Sequence, residues 1–407
     1  MFSFLSRKLH LHEIPRDLVF LAFVNGLSGM ALNGAAIFGM LAILSGATFL
    51  HGISGLAVYV ALNAMATFVG YAAVCRYGAV WGLKSETVLY AVFIIHAVGF
   101  ICAAFIHPIC VALSAGFGLG MFYAVFMLKS LNGIDDRARD GYATVNGLIQ
   151  QSLALAAPLL GVGTLYVGTR LGLHNAFFPT FLTFALCVLF AIPIIRRMPH
   201  APLPCNIALP LKAVAEAHHV PAIGLFFFTI FCECLMYPLL LLSSFALLGK
   251  VVEVGWFSAL ITALAFASLA LSHHVRLPGR RWVILGVCFV GIGLGFAGFD
   301  LSFRFETLLI AGAAYALCRV NYNAIWFSFS SQVIEREWGH FGKNQALVLA
   351  ELFFLTARMG VAVLLLVCGG MDLSFRQCLT TLIAFYLLSA TISIALARFI
   401  SKKHRDA

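Results

Sequence analysis

Residues 86–131, ETVLYAVFIIHAVGFICAAFIHPICVALSAGFGLGMFYAVFMLKSL, decide the fold. Within them only Glu86 and Lys129 are acidic or basic among Asp, Glu, Lys and Arg. The hydrocarbon core of a bilayer is about 30 Å thick, and a helix rising about 1.5 Å per residue crosses it in roughly 20 residues. His107-Pro108 therefore separates two crossings, with no room between them for an extramembrane domain. Lipid offers the backbone no hydrogen-bond partners, and apolar runs this long and continuous satisfy themselves as helices.

Worked outward, the same ruler finds twelve apolar stretches in the 407 residues: 17–46, 53–74, 86–106, 108–131, 142–168, 175–195, 221–247, 251–272, 282–300, 305–331, 344–369 and 375–399. Composition agrees. The chain is 62% hydrophobic and 10% charged, with a mean hydropathy of +0.99, against about 25% charged residues in soluble domains. Too few ionisable groups remain to cover a water-soluble body. A cytosolic enzyme, a disulfide scaffold and a nucleic-acid-binding domain are excluded. The net charge of +10 is spread between apolar runs and makes no nucleic-acid patch.

Placing both termini in the cytoplasm puts twenty Lys and Arg residues inside and leaves Arg170, Lys250, Arg304 and Arg376 outside, with Arg319 and Arg358 within spans. This asymmetry obeys the positive-inside rule. Residues 1–17 carry basic groups without a cleavable apolar segment and are read as a cytoplasmic tail. The eleven cysteines fall mostly in spans, and no Asn-x-Ser/Thr sequon occurs. Minimal loops and missing sequons favour a bacterial inner membrane.

The proline-bearing connector 196–220 divides the chain into a six-helix bundle at 1–195 and a second at 221–399, with a cytoplasmic tail at 400–407. A shift of about 200 residues brings Arg76 onto Arg276, Gln151 onto Glu351 and Asn33 onto Glu233, and places Arg137 one residue from Arg336. Duplicated helical units point to a transporter with its ligand site near the midplane.

Twelve spans, a six-plus-six repeat and a longer central loop make the whole chain resemble the major facilitator superfamily. That family's loop between spans 2 and 3 reads G-x-x-x-D-x-x-G-R/K-R/K. Here GYAAVCRYGAVWGLK (70–84) keeps Arg76, Gly78 and Lys84 without the aspartate, and VRLPGRR (275–281) keeps Gly279, Arg280 and Arg281. Ala157-Pro158-Leu159-Leu160-Gly161 resembles the Pro-x-x-Gly part of the motif of antiporting members, a hint toward export. The resemblance implies an all-helical integral membrane fold of two pseudo-symmetric six-helix bundles. It also implies that Arg76, Lys84, Arg137, Arg139, Arg280 and Arg281 latch one half against the other.

Ionisable side chains within spans cost about 2.5–3.5 kcal/mol each on insertion scales and by default face a cavity or a partner. The first half offers neutral polar groups, among them Asn25, Asn33, Asn63, His96, Asn146, Gln150 and Gln151. The second half carries Glu233, Arg319, Glu351 and Arg358. Glu351 and Arg358 lie two helical turns apart on one face. Arg319, Asn323, Trp326 and Ser330 form one stripe, and Thr229, Glu233 and Tyr237 another, with Pro238 following as a kink point.

These residues predict a cavity lined by Glu233, Tyr237, Arg319, Asn323, Trp326, Glu351 and Arg358, with Asn33, Asn146 and Gln150 contributed by the first half. Burial favours the neutral form of a carboxylate and a neighbouring arginine the charged form. A glutamate whose arginine partner engages substrate can therefore exchange a proton, which makes Glu233 and Glu351 the proton-coupling candidates. Static ion pairs that only hold helices together are the competing reading.

Thirteen histidines raise a metal reading, but His218-His219, His273-His274 and the Cys102, His107, Cys110 group lack a closed ligand spacing. The charged loop 135–140 is read as a cytoplasmic connector and not as a membrane-surface metal enzyme. No Walker-type loop occurs, so no nucleotide hydrolysis and no cofactor are expected. The expectation is a monomeric secondary transporter, not an enzyme, that moves a small organic solute, with protons as the coupling partner and efflux ahead of uptake. The alternatives are a transport-inactive assembly factor or sensor, and a membrane enzyme acting on lipid-linked substrates.

Overall fold

The computed structural model describes residues 16–46, 49–78, 80–133, 136–173, 175–198, 219–272, 281–339, 343–371 and 373–406. Fifteen α-helices follow one another among these residues. They are α1 (Arg16–Gly34), α2 (Met40–Ser45), α3 (Phe49–Tyr77), α4 (Ser85–Phe105), α5 (Ile109–Gly133), α6 (Asp136–Ala154), α7 (Ala156–Arg170), α8 (Phe178–Leu189), α9 (Ile192–Ile195), α10 (Val220–Leu248), α11 (Val251–Ser272), α12 (Arg281–Ser302), α13 (Phe305–Trp338), α14 (Lys343–Gly370) and α15 (Phe375–Asp406). A π-helical turn, Ala35–Gly39, joins α1 to α2. Among the described residues these elements make twelve helices long and apolar enough to cross a membrane, from Asp17–Ser45 to Phe375–His404. They coincide with the twelve stretches read from the sequence. The tenth and twelfth run farther, to Trp338 and His404, because polar residues beyond the apolar run stay helical and find partners.

Local chemistry sets the ends. Pro221 sits in the first turn of α10, where no intrahelical donor is lost. Gly249 closes that helix in the left-handed conformation, φ 70°, its amide bonded to Phe245 O at 2.9 Å.

Chain contacts cluster into two compact units. One comprises Met1–Ala42, Leu62–Leu209 and Phe341–Glu351; the other comprises Ile43–Ala61, Pro210–His340 and Leu352–Ala407.

In the first unit, α1 packs on α6, and α4 packs on α5 and α8. Small residues let α3 and α5 touch backbone to backbone. A Cβ on Gly120 would overlap Thr67 O, one on Gly116 would overlap Asn63 O, and one on Gly70 would overlap Phe117 O. Asn63 Nδ2 also donates to Ala112 O at 3.1 Å. Within lipid, where tails are as apolar as leucine, such close van der Waals packing and interhelical hydrogen bonds drive association. Gly161 of the Pro-x-x-Gly stretch leaves the space that the Phe38 ring fills beside the π turn.

In the second unit, α10 packs on α13 and α15, and α12 packs on α13 and α15. Thr229 and Ser393 share a hydrogen bond of 2.6 Å between α10 and α15. Tyr386 OH of α15 donates to Phe289 O of α12 at 3.3 Å.

Candidate functional site

Pro238 lies inside α10 one residue after Tyr237. Glu233 and Tyr237, one turn apart, present the same side of this helix to α13, whereas Thr229 is turned to α15 through its bond with Ser393. On α13 the facing residues are Tyr315, Arg319, Tyr322 and Trp326, spaced by four, three and four. The guanidinium centre of Arg319 stands 5.2 Å from the Tyr315 ring centroid and 5.8 Å from that of Tyr237. Arg319 Nη1 donates to the Tyr315 hydroxyl. Tyr322 donates its hydroxyl to Glu233 Oε2 at 3.0 Å.

Glu233 and Arg319 thus make no direct ion pair. They lie within Coulombic range of one another, each held by a tyrosine of α13. The Tyr237 hydroxyl oxygen is buried and has no hydrogen-bond partner. Tyr59 lies within Coulombic range of Tyr237. Behind this polar core is an aromatic wall. Trp326 stacks parallel to Tyr322, centroids 6.4 Å apart, and meets Phe226 edge-on at 5.2 Å. Tyr322 also packs against Phe289 at 5.3 Å.

The structure thereby brings together Glu233, Tyr237, Arg319 and Trp326 of the expected cavity residues, and adds Tyr315 and Tyr322. Asn323 is half-buried on α13. Arg358 on α14 lies in the same unit, its guanidinium 5.8 Å from the Phe354 ring. Glu351, only 5% exposed, belongs to the first unit, within Coulombic range of Tyr71 and Cys75 on α3. The tyrosines were visible in the sequence as hydroxyls one turn before and after Arg319, but a tyrosine in an apolar helix carries no charge to single it out.

The first unit has a polar seam between α1 and α6. Asn25 Nδ2 donates to Asn146 Oδ1 at 2.9 Å, and Gln150 packs on Gly29, where a Cβ would stand 3.0 Å from Gln150 Cγ. Asn33 continues this stripe of α1 two turns on from Asn25 and is half-buried. His96 is buried between α4 and α5 beside Gly118, edge-on to Phe93 at 6.1 Å, with Nε2 unpartnered.

Of the latch residues, Arg76 is exposed, 5.4 Å above the Tyr77 ring, and Lys84 is exposed just before α4. Arg281 is buried and donates to Gln332 Oε1 at 3.3 Å. Arg280 and the side chains of Arg137 and Arg139 lie outside the described residues, as do His218, His273, His274 and the side chains of the 135–140 loop. Among the described residues no three His, Cys, Asp or Glu side chains group as a metal site.

A second charged cluster had no sequence signal. Glu337, 7% exposed near the end of α13, accepts hydrogen bonds from Lys403 Nζ at 2.9 and 2.8 Å and is bonded to His404 Nε2 at 2.8 Å. Arg336 Nη1 donates to the carbonyl of His404 at 3.0 Å. The carboxyl-terminal turns of α15 are tied in this way to α13.

No protein-family model matches the sequence, and no curated protein matches it. Solved structures do match the fold. A POT family transporter in complex with 5-aminolevulinic acid superposes with a TM-score of 0.66 at 12% identity, covering 95% of each chain. The nucleoside transporter NupG gives 0.63 at 15%, covering 94% of this chain and 98% of its own. The human organic anion transporter TETRAN gives 0.56 at 13%, covering 92% and 98%. The chain has the all-helical, twelve-span fold of major-facilitator-type transporters.

Proposed function

We propose that this chain, built on the fold of major-facilitator transporters, is a secondary active transporter that moves a small organic solute by alternating access coupled to protons. The carrying observation is the arrangement of Glu233 and Arg319. Both sit within membrane spans, where each charge costs about 2.5–3.5 kcal/mol, yet each is held by a tyrosine hydroxyl and not by the other. A purely structural pair offsets that cost best by direct contact. Two charges held by separate tyrosines, and not by one another, remain available to a ligand and to a proton.

In this reading Arg319, between the rings of Tyr237 and Tyr315, receives an anionic group of the solute, and the unpartnered Tyr237 hydroxyl supplies one more donor. Glu233 carries the proton, and Trp326 with Asn323 borders the organic part. Glu351 is the second proton candidate, Arg358 a second anion contact, and Asn33, Asn146 and Gln150 the contribution of the first unit. Pro238 gives α10 a hinge. The organic anion transporter, the 5-aminolevulinic acid complex and the nucleoside transporter of this fold support a small organic solute. Pro158 and Gly161 favour export. The basic-residue asymmetry favours cytoplasmic termini, with Arg76, Lys84, Arg137, Arg139, Arg280 and Arg281 latching the cytoplasmic side of a monomer in a bacterial inner membrane.

The test is proton exchange on solute addition. Purified protein in weak buffer with a pH dye is challenged with organic anions, cations and zwitterions. A compound-specific pH jump that is lost in Glu233→Gln and retained in Glu351→Gln is expected. If pH-driven transport survives both substitutions, the coupling reading is wrong.

A further inference from the structure

On the surface of the second unit, α12 and Ile394 of α15 line a shallow, open groove of about 440 Å³ whose residues are all apolar. Two glycines make it. Gly286 faces Ile394 of α15, where a Cβ would stand 3.5 Å from Ile394 Cγ2, and Gly291 backs onto Cys318 of α13. Val287, 63% exposed, and Val290 form its open lip. From Trp282 to Gly291 the groove runs about 13 Å along the helix axis, the depth of much of one leaflet.

The groove ends at charge. Trp282 closes it, and the Arg398 guanidinium lies 5.8 Å over the Trp282 ring. Ile394, Arg398 and Lys402 fall at i, i+4 and i+8 of α15, so one stripe passes from the groove wall to two exposed cations. Among the described residues neither Arg398 nor Lys402 meets a carboxylate. Arg281 next door is buried and tied to Gln332, and Lys403 is spent on Glu337. A tryptophan beside basic residues at a helix end marks the boundary between acyl chains and headgroups.

We propose that this groove seats an acyl chain of an anionic phospholipid whose phosphate is held by Arg398 and Lys402. The apolar trough accepts the chain, and the uncompensated cations at its mouth select the headgroup. Each basic residue near a membrane surface enriches an anionic lipid by about fivefold.

Brominated acyl chains quench tryptophan at short range, and Trp282 is a built-in reporter. The full-length protein is placed in phosphatidylcholine vesicles containing, at equal mole fraction, either brominated phosphatidylglycerol or brominated phosphatidylcholine. Stronger quenching by the phosphatidylglycerol is expected. The excess disappears in Trp282→Phe, falls severalfold in an Arg398→Gln/Lys402→Gln variant, and also falls in Gly286→Val, which fills the trough without touching either cation. Equal quenching of the unmodified protein by the two lipids overturns the proposal and leaves an ordinary lipid-facing surface. Persistence of the excess in Trp282→Phe or in Gly286→Val overturns it as well. So does protection of Trp282 from both lipids, the result expected if a second copy of the chain covered this face. Equal quenching is read on the unmodified protein alone; because the chain has five tryptophans, an excess is assigned to Trp282 by its loss in Trp282→Phe.

Discussion

Tyr322 reaches from α13 to donate a 3.0 Å hydrogen bond to Glu233 on α10, so the one carboxylate in α10 is held by a neutral phenol although a guanidinium, Arg319, lies one turn away on the same helix as the phenol. Arg319 in turn is bonded to Tyr315. Both charged groups are therefore positioned without being neutralised by each other.

Replacing Tyr322 with phenylalanine removes the donor and leaves the carboxylate and the ring wall in place. Hydrogen bonds to charged groups contribute about 1.5–3 kcal/mol, so proton-driven accumulation of solute in vesicles is expected to fall at least about tenfold. Downhill exchange without a pH gradient is expected to fall much less. Equal loss in both assays would assign Tyr322 to packing alone.

Arg319→Lys keeps the charge but gives up the planar fork lodged between two tyrosine rings. Solute binding, read by calorimetry or by ligand-induced thermal shift, is expected to weaken by roughly tenfold, a change of about 1.4 kcal/mol. Arg319→Gln is expected to abolish it for anionic solutes while sparing the fold. Retained affinity in Arg319→Gln would remove Arg319 from the site.

The close approach of α3 and α5 gives a stability contrast between two glycines. Gly120→Ala forces a methyl group into Thr67 O and is expected to destabilise by about 1–3 kcal/mol. Gly163→Ala adds a methyl group with nothing within 4 Å and is expected to be neutral or slightly stabilising, since alanine favours helix. Thermal unfolding of both variants in the same detergent, followed by cysteine-reactive dye or circular dichroism, measures the difference.

Glu337 anchors the last turns of α15 through Lys403 and His404. Because Lys403 is about half exposed, solvent screens its share, and Glu337→Gln is expected to cost on the order of 1 kcal/mol. The cost falls locally: amide hydrogen exchange at residues 400–404 speeds up by about fivefold, with exchange in α10 unchanged. Unaltered exchange in the 400–404 segment would show that the cluster does not hold the tail.

The number and position of the crossings were legible in the sequence because hydropathy over some twenty residues is a local sum, indifferent to what packs on what. The in-span charges were legible for the same reason: a Glu or Arg in an apolar run stands out by its cost alone. Gly161 was noticed as part of a motif, but its use, making room for Phe38, needed the partner helix. Glu351 and Arg358 share a helical face by spacing, and yet Glu351 falls with Tyr71 and Cys75 in one unit while Arg358 falls with Phe354 in the other.

The sequence by itself determined a twelve-span helical membrane protein with Glu233 and Arg319 placed within spans of its second half. Only the tertiary structure decided that Tyr322 and Tyr315 hold these charges, that Glu337 meets the carboxyl-terminal turns, and that two glycines open a trough beside Arg398. One residue along a helix turns a side chain by about 100°. The choice between Asn323 and its neighbour Tyr322 as the partner of Glu233, 89 residues away, is therefore made by how α13 is rotated against α10, a quantity fixed by the packing of whole helices and written in no single stretch of the chain.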